Sequence, residues 1–237
     1  MARNLGPPVP NLMLQGLQRN VYARFAPHLE SVSLAAGHVL AEPGGVVAHA
    51  YFVNSGMISV LAALRDGDTL EVGVIGREGM ADINLLLGCP TTLNRVVVQV
   101  DATALRMDAR VLLRLYNEAG PQMRAAGQRY VHYRIAQLSQ SAICNNAHGI
   151  EERLARWLLT TADAVAADHF TLTHEFLADM LGARRSSVTL AAGVLSLAGV
   201  IEYTRGRINI LQRPKLEDLA CECYGIIRRE LHAMARN

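Results

Sequence analysis

The stretch that most constrains this chain is residues 173–191, Thr-His-Glu-Phe-Leu-Ala-Asp-Met-Leu-Gly-Ala-Arg-Arg-Ser-Ser-Val-Thr-Leu-Ala. The methyl of Ala178 lets a second helix cross closely over the first. Gly182, four residues on, permits the left-handed backbone that ends the first helix. Val188, six further, points inward from the second, while Leu177 and Leu181 supply buried positions. Thr173 is a good N-cap, and Glu175 falls in the first turn, where the helix dipole favours an acid. The spacing predicts a helix-turn-helix whose second helix exposes Arg184, Arg185, Ser186 and Thr189. An ordinary helical hairpin with solvated arginines shares the Ala-x3-Gly spacing but not the Arg-Arg-Ser-Ser start. The pattern therefore points to double-stranded DNA as partner.

Charge placement agrees with that reading. The net charge of +2 is too small to make the whole molecule bind nucleic acid. Between Thr171 and Arg213, however, the bases Arg184, Arg185, Arg205, Arg207 and Arg213 all lie at the second helix or after it. One face can then meet phosphates while the rest stays neutral. Residues 199–211 read as a two-stranded wing with Arg205-Gly206 at its tip. Arg184, Ser187, Arg205 and Arg207 are expected on phosphates, with Arg185, Ser186 and Thr189 reaching base edges.

Apolar residues at 51% and charged residues at 19% describe an ordered globular chain. No apolar run reaches the ~18 residues of a membrane span, and the first ten residues lack the apolar core of a secretory signal. The expected location is cytoplasmic, without a membrane partner. Cys89, Cys144, Cys221 and Cys223 do not read as a disulfide framework or a metal site. The apolar spacing from Leu216 to Leu231 predicts one helix, on which Cys221 and Cys223 point about 200° apart.

Residues 12–30 carry an amphipathic helical pattern. From about Val32 to Met107 the texture changes to short apolar runs broken by turn signals at Ala36-Gly37, Pro43-Gly44-Gly45, Asn54-Ser55-Gly56 and Arg65-Asp66-Gly67-Asp68. This predicts strands of about five residues in an antiparallel barrel or roll. From Ala109 to about Asn145 the period is helical, interrupted at Gly120-Pro121. Val131, Ile135, Leu138 and Ala142 form one stripe there; Met123, Ala126, Tyr130 and Tyr133 form another. A helix apolar on two faces buries both, so one stripe is expected against the roll and the other against a second copy, giving a homodimer. Burial of both within one subunit is the alternative. Residues 145–149 look like a hinge.

A glycine-punctuated roll, a long helix and a winged helix-turn-helix, in that order, resemble the Crp-Fnr superfamily of bacterial transcription regulators. The resemblance covers residues 12–220. It is carried by Gly37, Gly44, Tyr51-Phe52-Val53, Gly56, the Gly76-Arg77-Glu78-Gly79 turn, Leu177-Ala178-x3-Gly182 with Arg185-x2-Val188, and the wing. It implies an α+β chain with an N-terminal antiparallel, jelly-roll-like β-roll (1–108), a dimerisation helix with its hinge (109–146), and a DNA-binding domain (147–237). It also implies a homodimer on a near-palindromic promoter site, RNA polymerase as a further partner, and an effector region around Gly56, Gly76, Glu78, Gly79, Arg95, Tyr130, Tyr133 and Arg134.

The departures narrow this. Cyclic AMP binders of the family carry Gly-Glu-Leu followed about ten residues on by Arg-Ser or Arg-Thr. Here the turn is Gly76-Arg77-Glu78-Gly79-Met80, and Arg95, followed by Val96, lies too far along to grip a phosphate. Oxygen-sensing relatives hold an iron-sulfur cluster on N-terminal cysteines, whereas the first cysteine here is Cys89. No cofactor is expected, and neither cyclic AMP nor an iron-sulfur cluster is the expected effector. The recognition helix lacks the usual acidic residue and distal arginine, so its preferred site should differ from the family's common half-site.

Two rival readings use the same chain. A metal-binding cupin-like enzyme needs His-x-His, which none of the eight histidines forms. No phosphate loop or nucleophile elbow appears either, so no enzyme is expected. A winged protein-interaction module on an inert β-roll scaffold is the other alternative, and the clustered arginines speak against it.

Overall fold

A computed structural model describes residues 9–64, 69–118, 120–204 and 206–236. The chain opens with α1 (Leu12–Gln15), α2 (Arg19–Phe25) and a short 3-10 turn, not one amphipathic helix over 12–30. Gly16 caps α1 and breaks the run. Asn11 explains the anchoring of this segment: its amide donates to the Val53 and Gly79 carbonyls while its Oδ1 caps the Leu14 N–H.

The roll follows as β1 (Glu30–Leu34), β2 (Val39–Ala41), β3 (His49–Ala63), β4 (Thr69–Ile75), β5 (Met80–Ala81) and β6 (Arg95–Asp108). All pairings are antiparallel, in the order β1-β6-β3-β4, with β2 on β6 and β5 on β3. The five-residue strands expected from the glycine punctuation are, in part, segments of longer ones. Asn54-Ser55-Gly56 is an irregularity inside a 15-residue strand, where the register shifts against β6. Gly56 has φ +80°, and a Cβ there would lie 2.2 Å from the Asp101 carbonyl oxygen, so glycine lets β3 bend without ending. The Asp66-Gly67 hairpin tip lies outside the described residues, but its flanks Ala63 and Thr69 pair as a hairpin requires.

The uninterrupted Met57–Leu61 run has a period-2 explanation. Ile58 and Val60 point into the roll with Val53, Ile75, Val96 and Val98. Met57 and Leu61 point outward, where they pack with Val74 and Val97 against the C-terminal half of the chain. Both faces are covered, so neither carries the polar alternation of a half-solvated strand.

The helical half begins with α3 (Ala109–Glu118) and α4 (Pro121–Ala147), separated near the predicted interruption. One predicted stripe of α4 is buried against the roll: Met123, Tyr130 and Tyr133 are all under 5% exposed. The other is divided: Val131 and Leu138 are half-buried, while Ile135 is 54% exposed and the adjacent Ile143 57%. The expected break at 145–149 narrows to His148-Gly149, because α4 stays helical to Ala147; α5 (Ile150–Val165) follows, its Gly149 N–H donating to Glu152 (2.8 Å). Then follow β7 (His169–Thr171), α6 (His174–Leu181), α7 (Arg185–Leu197), β8 (Ile201–Thr204), β9 (Arg207–Ile210), α8 (Arg213–Leu219) and α9 (Cys223–Arg236). Trp157 of α5 sits on the outer face of the roll and donates its indole N–H to Glu71 of β4 (2.8 Å).

Two sequence expectations fail at the C-terminus. The run from Leu216 to Leu231 is two helices, because Ala220 is extended (φ −79°, ψ 148°) and α9 starts only at Cys223. Cys221 therefore precedes the helix and does not point away from Cys223; both are buried beside Cys144. Helix α9 packs along α4, where Ile227 joins the core beneath the roll, while Tyr224 at its start reaches the core of the winged half.

Candidate nucleic-acid interface

The motif folds as its spacing dictates. Thr173 caps α6 by accepting the Phe176 N–H (3.2 Å). Gly182 ends α6 in the left-handed conformation (φ +54°), and its N–H and that of Ala183 close onto the Asp179 and Ala178 carbonyls. Leu177, Leu181 and Val188 are buried at 0–1% exposure and Ala178 at 6%, which locks α7 across α6. That crossing leaves Arg184, Arg185, Ser186 and Thr189 exposed together, with Ser187 half-buried. Arg184 is the N-cap residue and α7 starts at Arg185, so both arginines sit at the end of the helix where its first backbone N–H groups are.

The Thr189 hydroxyl donates to the Arg185 carbonyl (2.9 Å). Its hydrogen is thereby engaged, and what it presents outward is a methyl and acceptor lone pairs. Leu190, beside it, is 71% exposed. An exposed leucine at such a position suits a thymine methyl. The wing is a three-stranded sheet, β7-β9-β8. Arg207 opens β9, exposed and paired with Thr171 and Thr204. Arg205, expected on phosphate, lies outside the described residues.

Of the residues expected to form one effector region, Gly76, Glu78, Gly79, Tyr130, Tyr133 and Arg134 gather where α4 meets the Gly76 turn, but they face separate cavities. Arg134 is buried on α4 and faces a roll cavity of about 110 Å³ with Ile75, Asp82, Asn84, Asn94 and Leu138. Its guanidinium donates to the Val74 carbonyl and to Gln137. Gly76 and Glu78 instead line a separate pocket of about 270 Å³ with Tyr133, Asp163 and Arg228. The Glu78 carboxylate turns back onto the Gly76 N–H (2.9 and 3.0 Å). Burial pushes its carboxyl above the usual range, against the pull of that N–H and of Arg134. Gly79 is needed because the Tyr130 ring would lie 2.0 Å from a Cβ there, and Tyr130 donates to the Met80 carbonyl (2.8 Å).

Two members leave the set. Gly56 serves the bend of β3. Arg95 pairs with Leu61 at the far end of the roll, contacts Glu42 (3.5 Å), and faces Asp179, Gly182 and Arg184 across a surface pocket. Strand β6 starts beside Leu61, at the end of β4 far from Ile75, and runs toward the Gly76 turn, so its first residue, Arg95, lies at the opposite end.

Two parts of the chain match known families. Residues 31–119 match the family of cyclic nucleotide-binding domains, and residues 152–219 match the family of Crp-like helix-turn-helix domains. The transcriptional regulator SdrP of Thermus thermophilus is 25% identical over 199 residues, 81% of this chain and 94% of that protein. Among solved structures, the c-di-GMP responsive global regulator CLP of Xanthomonas campestris has a TM-score of 0.66 at 16% identity, covering 81% of this chain and 98% of that one. FixK2 of Bradyrhizobium japonicum gives 0.66 at 15% identity, again over 81% and 98%. No helix among the described residues is long and apolar enough to cross a membrane.

Proposed function

Because this chain belongs to the Crp-Fnr superfamily of transcription regulators, we propose that it is a homodimer that reads a near-palindromic promoter site and recruits or obstructs RNA polymerase there. The observation that carries this reading is the exposed Arg185–Ser186–Thr189 face, fixed by the buried Ala178–Val188 crossing and flanked by the wing. Arg185 suits a guanine, whose N7 and O6 accept a guanidinium bidentately. Arg184, Ser187, Arg205 and Arg207 serve phosphates. The Thr173 hydroxyl, which accepts at its cap, keeps its hydrogen for another phosphate oxygen. The partner for the second copy is the open α4 stripe around Ile135.

This reading gives the roll no cyclic AMP site. The one buried arginine facing the roll cavity already serves Val74 and Gln137, and the cavity is well below the ~300 Å³ at which small-molecule sites begin. An inert roll or a very small effector fits these dimensions.

The test is selection from a random duplex pool with the purified chain, followed by titration of the winner at several salt concentrations. A two-fold-symmetric site with half-sites about one helical turn apart is expected, with affinity falling steeply as salt rises. Absence of enrichment both with the pure protein and with cell extract added would refute the reading.

A further inference from the structure

Four potential ligand atoms converge at the hinge: the Sγ atoms of Cys144, Cys221 and Cys223 and a ring nitrogen of His148 all lie within 4.8 Å of one another. Cys144 Sγ is 3.5 Å from Cys221 Sγ, and Cys223 Sγ is 3.6 Å from His148 Nδ1. The edges of a tetrahedron around zinc, with Zn–S near 2.3 Å and Zn–N near 2.0–2.1 Å, are about 3.6–3.8 Å. The two measured edges already have that size, and the longer ones close with small side-chain rotations. We propose that Cys144, His148, Cys221 and Cys223 form a Cys3His site for one zinc-class ion, with Glu222 as the outer partner of His148.

The surroundings are those of a ligand set, not of three cysteines filling a gap. All three thiols are buried, at 5% exposure or less, and His148 turns Nδ1 inward among them. Its Nε2 faces Glu222 (3.2 Å), the carboxylate–histidine arrangement that orients a metal-bound imidazole. Gln140 donates its amide to Cys223 Sγ (3.0 Å), as outer groups do to bound thiolates. Three thiolates and one dication leave a net negative charge, which a buried site must offset. Arg153 and Arg156, both under 10% exposed, act electrostatically on Cys144, and neither Nε has a hydrogen-bond partner among the described residues. A two-thiol redox pair would need neither Cys223 nor the inward imidazole nor Glu222. Soft sulfur donors with one imidazole select zinc over magnesium or calcium.

The position gives the ion a consequence. Cys144 is in the last turn of α4, His148 follows that helix, Cys221 lies between α8 and α9, and Cys223 opens α9. One ion would pin the winged domain's exit to the root of its entry.

The test uses the full chain, purified reduced, stripped with a chelator, then loaded with zinc or cobalt(II). One equivalent of zinc by elemental analysis is expected, and cobalt should show thiolate charge-transfer and tetrahedral d–d absorption. Cys223→Ser and His148→Gln should lose the equivalent, and Cys89→Ser, altering an exposed thiol, should keep it. Glu222→Gln should keep the stoichiometry and weaken binding roughly 10-fold or more. Should the ligand variants fail to fold, alkylation of the wild type decides: zinc should protect Cys144, Cys221 and Cys223 and leave Cys89 reactive. Absence of zinc above the stripped blank, loss of zinc in Cys89→Ser, or a Cys144–Cys221 disulfide forming equally fast with and without zinc would overturn the site.

Discussion

Replacing Glu71 by glutamine should stabilise this protein, and the gain should appear only as pH rises. Glu71 is buried on β4, accepting the Trp157 indole N–H (2.8 Å) and the Ser59 hydroxyl (2.6 Å). Burial dominates its titration, lifting the carboxyl from 4.5 to about 7 despite those donors and the charges of Arg156 and Arg134. The folded state thus prefers the protonated acid. Its contribution to stability is complete below pH 4.5 and is lost as pH climbs through about 7, above which the curve is flat. A displacement of that size corresponds to about 3 kcal/mol. Glutamine has the same shape, still accepts from Trp157, and can donate to Ser59, whose hydroxyl then turns to Gln99, its second partner at 3.2 Å. The variant should therefore match the wild type near pH 4.5 and exceed it by about 3 kcal/mol at pH 8. Urea unfolding followed by fluorescence suits the question, because Trp157 is the only tryptophan in the sequence and touches the mutated side chain. Glu78 and Asp82, also raised by burial, add the same slope to both proteins and cancel in the difference. A difference that is flat from pH 4.5 to 8, or a variant less stable at pH 8, would refute the reasoning.

Other outcomes follow from single contacts. Arg185→Ala should cost about 1–3 kcal/mol on the selected duplex and relax preference at one base pair per half-site; competition binding with single-base variants reads both, and unchanged preference would contradict the assignment. Gly56→Ala places a Cβ at φ +80° against backbone atoms that cannot yield, including Ala102 Cα at 2.6 Å. It should destabilise the roll by at least about 1–3 kcal/mol, seen as a lower urea midpoint. Ile135→Glu charges the open stripe of α4, so light scattering should report a monomer with unchanged circular dichroism; a variant that stays dimeric would move the interface elsewhere.

The helix-turn-helix was legible in the sequence because all its requirements are local. A small residue, a left-handed glycine and an inward valine at fixed spacing specify two crossing helices, and whatever lies on the outer face follows. The same holds for α4, whose Met123, Tyr130 and Tyr133 stripe marks the face that packs on the roll. The roll was legible as a class, but not in strand lengths. Whether Asn54-Ser55-Gly56 turns the chain or merely bends it depends on Asp101 and Ala102, some 45 residues away.

The tertiary structure decided whatever depends on where distant segments meet. Arg95, Gly56 and the Gly76 turn were grouped by resemblance to the family, and the antiparallel register sends them to different places. Glu71 and Trp157 are unremarkable apart, and only their contact across the roll's outer face makes a buried, titrating bridge between the two halves. The hinge cysteines show the same limit most sharply. Cys144-x3-His148 and Cys221-x-Cys223 are each weak signals, and a continuous helix would have separated the second pair. The extended Ala220 breaks that helix, and the packing of α9 along α4 brings the two halves of one ligand set together.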